Sequence, residues 1–123
     1  MLPKRHRLTR PEDYRAVLRG GDGRRRTRAG TDLLVVHAAL NDNPELTRPP
    51  RVGFVVSKAV GGSVVRHRVV RRLRAVTAAR LPRLEPGTDL VVRAAPAAAH
   101  ATSADLGAAL DRGLDRVLAG GRR

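Results

Sequence analysis

The chain has 123 residues, with 25 lysines and arginines against 11 aspartates and glutamates, for a formal net charge of +14. That length allows one domain, residues 1–123, around a single core, and the surplus charge repels itself unless a polyanion such as nucleic acid neutralises it. Cysteine is absent, which excludes disulfides and thiolate metal sites. No apolar run approaches the roughly 20 residues of a membrane span, and the start MLPKRHRL lacks a secretory signal's apolar segment, so a cytoplasmic protein with no membrane partner is expected.

Residues 1–8 read as a flexible, extended basic arm that carries Arg5 and Arg7. Thr9 followed by Glu12 is a capping-box pattern with Arg10 and Pro11 in the first turn. The helix it opens carries Tyr14, Val17 and Leu18 on one face and ends at Gly20–Gly21. Asp22 to Gly30, rich in glycine and arginine, suits a loop or a short solvated edge strand. Leu33 to Ala39 is a short apolar strand, and Asn41 to Pro50 a loop. Arg51 to Ser57 is the predicted central strand, apolar on both faces and rich in β-branched residues.

The turn Val60-Gly61-Gly62-Ser63 follows, with Ser63 the expected N-cap of a helix running to about Leu81, just ahead of Pro82. Its two glycines suit a plain helix entry or a phosphate-binding helix start. After the Pro86–Gly87 turn, Thr88 to Arg93 is a further strand. A last helix, capped near Thr102 or Ser103, carries the stripe Leu106, Leu110, Leu114 and Val117 with Leu118 alongside, and residues 119–123 are expected to form a flexible tail. The order αβββαβα predicts an α+β two-layer sandwich, a mixed sheet with helices packed on it.

The helix after Ser63 carries the functional signal. At about 100° per residue, Val65, Val69, Leu73 and Val76 fall within roughly 80° of one another and form a predicted buried stripe. Arg66, His67, Arg68, Arg71 and Arg74 are expected on the other side. A solvated charged face is the ordinary reading of such a run. This one is single-signed, in register with the helix and unbalanced by acids, which favours a polyanion.

Signals for chemistry on the polypeptide are missing. None of His6, His37, His67 and His100 has a second histidine or a carboxylate at metal-ligand spacing. Ser57, Ser63 and Ser103 show no nucleophile–base pairing. Gly61–Gly62 lacks the lysine and spacing of a nucleotide-binding loop. Tyr14 suits either a core aromatic or a platform for an unpaired base. Phe54, alternating with Val52 and Val56, reads as core.

The stretch RVGFVVSKAVGGSVVRHRVVRRLR, residues 51–74, resembles the signature of the bacterial ribonuclease P protein subunit. That signature has a strand ending in Ser-Lys, a glycine turn and a helix opening Arg-Asn-Arg. The arm RHRL and the PEDY helix start are also similar, and the likeness spans roughly residues 4 to 118. The resemblance implies that Lys58, Arg66, Arg68, Arg71 and Arg74 face RNA, joined by His67 and by Arg5 and Arg7 of the arm. It implies that Tyr14, with Leu18 and His37 nearby, lines a cleft for the 5′ leader of precursor tRNA. It also implies a left-handed βαβ crossover, against the usual right-handed preference. Ribonuclease P RNA and precursor tRNA are the implied partners, with no DNA. Cleavage belongs to the RNA subunit and its Mg²⁺, and the protein binds no cofactor.

This chain departs from the family pattern in places. His67 stands where asparagine is usual, Val70 where lysine is common, and Arg72 where an apolar residue is frequent. Leu18 replaces a second cleft aromatic, and His37 falls near a further aromatic position, so leader stacking is expected to be weaker or shared with His37. Two other classes compete with this reading. A structural RNA-binding protein, such as a small ribosomal protein, would use the same charge to fill space between RNA helices. A helix-in-groove DNA binder is disfavoured by the lack of a second short helix at turn-helix spacing.

Overall fold

Strands and helices follow the predicted order: α1 (Pro11–Arg19), β1 (Arg25–Gly30), β2 (Leu34–Leu40), β3 (Arg51–Val55), α2 (Ser63–Ala78), β4 (Asp89–Ala94) and α3 (Ser103–Gly120). These bounds come from a computed structural model that describes residues 2–43 and 45–120. The last three residues of the expected tail lie outside the described residues, and Ala119 and Gly120 belong to α3.

The sheet is mixed and ordered β1-β2-β4-β3. β1 and β4 flank β2 antiparallel, and β3 lies parallel to β4, so β3–α2–β4 is a parallel crossover unit. Arg51–Val55 is therefore an edge strand and not the predicted central one. Its apolar character has another cause: the chain N-terminus covers the edge. The Leu8 amide donates to the Val52 carbonyl at 3.0 Å, Arg7 bridges to Val52, and Leu2 is fully buried. The expected extended arm is thus a docked segment with a short 3-10 turn at Lys4–His6. Two leucines among the basic residues hold it down, and pairing satisfies an otherwise open strand edge.

Alternation along the strands separates two cores. Leu34, Val36, Ala38, Leu90 and Val92 face α2 and α3, where Val69, Leu73, Leu106, Leu110 and Leu114 pack. The intervening Ala39 and Val91 face the other way, against Val17 of α1 and Leu8. Burying Val17 there contributes about 1.5–3 kcal/mol, enough to seat a nine-residue helix that would not persist alone.

Helix ends follow local chemistry, with three corrections. Arg10 is the N-cap of α1 and makes no side-chain cap bond, so the Thr9–Glu12 box does not form; Pro11, pre-organised for the first helical position, sets the start. Gly62 precedes α2, and Ser63 is already helical. α2 ends at Ala78, where the Arg80 amide tightens onto the Thr77 carbonyl and a 3-10 turn containing Pro82 takes over. By contrast α3 opens with a reciprocal box: the Thr102 hydroxyl accepts from the Asp105 amide at 3.1 Å, and the Asp105 carboxylate accepts from the Thr102 amide at 3.2 Å. The predicted α3 stripe is buried as expected.

Candidate nucleic-acid interface

On α2 the fully buried positions are Val69, Leu73 and Thr77, while Val65 and Val76 are only half-buried. The stripe is rotated from the predicted one. Arg66, expected opposite the stripe, lies on its flank, and its stem is drawn in. Arg68 and Arg74 are likewise half-buried, whereas His67 and Arg71 are exposed. Long arginine stems can cover apolar surface while the guanidinium reaches outward, which is why a wheel that treats arginine as purely polar misplaces the seam.

These arginines are partly fixed. Arg68 donates to the Ala99 carbonyl at 3.2 Å and Arg72 to the Ala101 carbonyl at 2.7 Å, stapling α2 to the turn before α3. The Nε atoms of Arg66, Arg68 and Arg74 are buried without a partner in the chain. Lys58 in the turn before α2 and Arg5 in the N-terminal segment are exposed, and Arg7 donates its Nε to the Leu2 carbonyl at 2.8 Å.

The second element of the site is a trough on the opposite face of the sheet. α1 crosses the strands: Asp13 pairs with Arg51 of β3 at 3.4 Å near one end, and Arg26 of β1 donates to the Leu18 carbonyl at 3.0 Å near the other. Tyr14 and Leu18, one helical turn apart, share a flank of α1 and form one wall. The register aligns two rows, Arg28–His37–Val91–Gly53 and Gly30–Val35–Arg93–Val55; Val91 and Gly53 are buried against α1, so Arg28, His37 and the second row form the floor. Leu18 and His37 share a hollow with Arg26 and Arg28. Burial, then the fields of Arg28, Arg93 and Arg26, hold the His37 imidazole below its ordinary range.

Tyr14 sits at the β3 end of this wall, half-buried. Its hydroxyl donates to the Leu8 carbonyl at 3.3 Å. Burial raises the phenol above its usual range, although the Phe54 backbone and Arg74 pull the other way. Tyr14, Phe54, Val70 and Arg74 line a second hollow with Arg7 and Leu8, so α1 and α2 both border it. Phe54, predicted as core, does pack against the main core and also lines this hollow.

The acids are placed elsewhere. Ion pairs occupy Arg24, Arg25, Arg48, Arg51, Arg80, Arg83 and Arg112. Among the described residues none involves Arg66, Arg68, Arg71, Arg72 or Arg74 of α2, nor Arg26, Arg28 or Arg93 of the trough. Eight arginines outside ion pairs thus lie on α2 and in the trough, and among the described residues Lys4, Arg5, Arg7, Arg10, Arg15, Arg19, Lys58 and Arg116 are outside ion pairs as well. Sequence reasoning missed the trough arginines. Their signal was the alternation in RRTRAG, which puts Arg26 and Arg28 on one strand face. Among the described residues no three histidine, aspartate or glutamate side chains converge to hold a metal, and no helix is long and apolar enough to cross a membrane.

A family model described as Ribonuclease P matches residues 2–118. The chain belongs to the bacterial ribonuclease P protein family. It is 50% identical over 128 aligned positions to the ribonuclease P protein component of Streptomyces griseus, covering 100% of both chains. It is 54% identical over 106 positions to that of Beutenbergia cavernae, covering 86% of this chain and 82% of the relative. The fold matches the Staphylococcus aureus RNase P protein with a TM-score of 0.73 at 20% identity, over 90% of this chain and 94% of that one. The Thermotoga maritima RNase P protein matches with a TM-score of 0.72 at 18% identity, over 90% and 99%. As a ribonuclease P protein, the chain is a subunit of an endoribonuclease of tRNA processing, and membership implies association with ribonuclease P RNA.

Proposed function

We propose that the two unneutralised surfaces divide the work of the subunit. The α2 face, with Lys58, Arg66, His67, Arg68, Arg71 and Arg74, docks on ribonuclease P RNA, joined by Arg5 and Arg7. The trough, with Tyr14, Leu18 and His37 beside Arg26, Arg28 and Arg93, takes the single-stranded 5′ leader of precursor tRNA. The observation that carries this reading is the hollow at the β3 edge, which Tyr14 of α1 lines together with Val70 and Arg74 of α2. A leader base stacks on an aromatic or aliphatic wall while guanidinium groups hold its phosphates.

In this reading hydrolysis belongs to the RNA subunit, where Mg²⁺ supplies the metal chemistry, and the protein contributes binding and placement. The test adds the polypeptide to its RNA subunit and measures affinity for precursor and leaderless tRNA. Precursor should tighten more than leaderless tRNA. Equal tightening contradicts a leader site, and cleavage by the RNA-free polypeptide contradicts the division of labour.

A further inference from the structure

His37 stands in the middle of the trough floor, and the register builds an arginine frame around it. Arg28 of β1 is its cross-strand partner. Arg93 of β4 pairs with Val35, two residues along β2, and so lies diagonal to the imidazole. Arg26 completes the hollow from β1, while α1 offers only Val17 and Leu18 there. Neither ring nitrogen has a hydrogen-bond partner among the described residues, and no carboxylate faces the ring.

We propose that His37 couples leader capture to protonation: an RNA strand lying in the trough draws one proton from solvent onto the imidazole, so precursor tRNA is held tighter, relative to leaderless tRNA, as pH falls. This rests on the trough being the leader site.

In the free protein, burial and then Arg28, Arg93 and Arg26 disfavour the imidazolium, so the ring is neutral at neutral pH. A phosphodiester placed among those guanidinium groups offsets part of the positive field at the ring. It also offers an anionic acceptor to a ring N–H. The bound ring then titrates at higher pH than the free one. Binding that takes up a proton strengthens as pH falls through the bound value, levels off below the free value, and loses the added affinity above the bound one. Every unit between the two values is about tenfold in affinity. The proton comes from solvent, and no bond in the RNA forms or breaks. A tyrosine or phenylalanine at this position would have no such response near neutrality.

The experiment measures, for reconstituted holoenzyme, the ratio of precursor to leaderless tRNA affinity between about pH 5.5 and 8, the range of histidine titration. The ratio cancels groups that act on both ligands, His67 included. It should rise about 3- to 10-fold on acidification and stay flat for His37→Gln. A ratio that favours precursor but ignores pH, or that responds equally in His37→Gln, overturns the proposal and leaves the leader site standing. A ratio of one throughout overturns both. A second measurement needs no variant: NMR titration of the His37 ring in the full-length chain, with and without single-stranded leader RNA. The midpoint should move up with RNA, and an unmoved midpoint overturns the proposal.

Discussion

The ring of Tyr14 rests on the backbone of Gly53 with no space between them for a side chain: a Cβ on Gly53 would fall 2.5 Å from Cε1, Cζ and the hydroxyl oxygen of Tyr14. The glycine is what lets the aromatic wall lie over the edge strand. Gly53→Ala should push the ring out of place, costing about 1–3 kcal/mol of stability and lowering precursor affinity with little change for leaderless tRNA. Melting curves and paired affinities check both effects.

Tyr14 itself separates two roles. Tyr14→Phe removes the hydroxyl, with its long contact to Leu8 and its attraction to the Phe54 backbone, and should keep precursor affinity. Tyr14→Ala removes the platform and should weaken precursor binding about 5- to 100-fold, the equivalent of one stacked base at roughly 1–3 kcal/mol. Its half-buried ring belongs to the second core, so the melting temperature should fall as well. Leaderless tRNA should bind nearly as before, measured with folded protein.

The α2 arginines should not behave alike. Arg71 is exposed, so Arg71→Ala should leave melting unchanged and weaken binding to ribonuclease P RNA. Arg68 also holds the Ala99 carbonyl, so Arg68→Ala should in addition lose about 0.5–1.5 kcal/mol of stability. In the Arg66, Arg68 and Arg71 triple alanine variant, the salt dependence of RNA affinity should flatten by roughly 0.7–0.9 in log–log slope for each phosphate that is no longer neutralised. Binding measured across a salt series decides this.

Asp89 should control acid stability. Its carboxylate is fully buried and accepts from Arg24 at 3.0 Å, from Arg48 at 3.1 and 3.0 Å, and from Arg51 at 3.0 and 2.9 Å. Burial alone would raise its pKa, but the hydrogen bonds and charges of Arg51 and Arg48 outweigh it and hold it below the ordinary range. A depressed carboxylate contributes stability above its unfolded pKa of about 3.9 and loses it as pH falls through the lower folded value. Asp89→Asn leaves three arginines around a neutral group and should cost roughly 3–5 kcal/mol at neutral pH. Below about pH 3 the gap from wild type should narrow, as thermal melts across pH would show.

Local chemistry made much of this fold legible. The α3 stripe of leucines has one period and one reading, and Gly20, at φ 84°, ends α1 where its freedom is needed. The αβββαβα order followed from such segments, and the family signature lay within one continuous stretch. Topology was less legible. Nothing within Arg51–Val55 tells that β4 inserts between it and β2, because that depends on the crossover, and the docked N-terminus makes an edge strand look central. Part of the site was also hidden. The resemblance named His37, but Arg28 and Arg93, 9 and 56 positions from it in sequence, join it only through register across three strands. The α2 seam was misplaced by one flank because arginine stems bury like apolar groups.

The division between the two basic surfaces is tested most directly by two variants assayed side by side: Arg28→Ala with Arg93→Ala in the trough, and Arg66→Ala with Arg71→Ala on α2. For each, affinity for ribonuclease P RNA and the precursor-to-leaderless affinity ratio of the holoenzyme are measured at one salt concentration. The trough variant should keep its RNA-subunit affinity and lose much of the ratio. The α2 variant should bind the RNA subunit more weakly and, once saturated with it, keep the ratio. Equal losses of both quantities in both variants would contradict two separate surfaces.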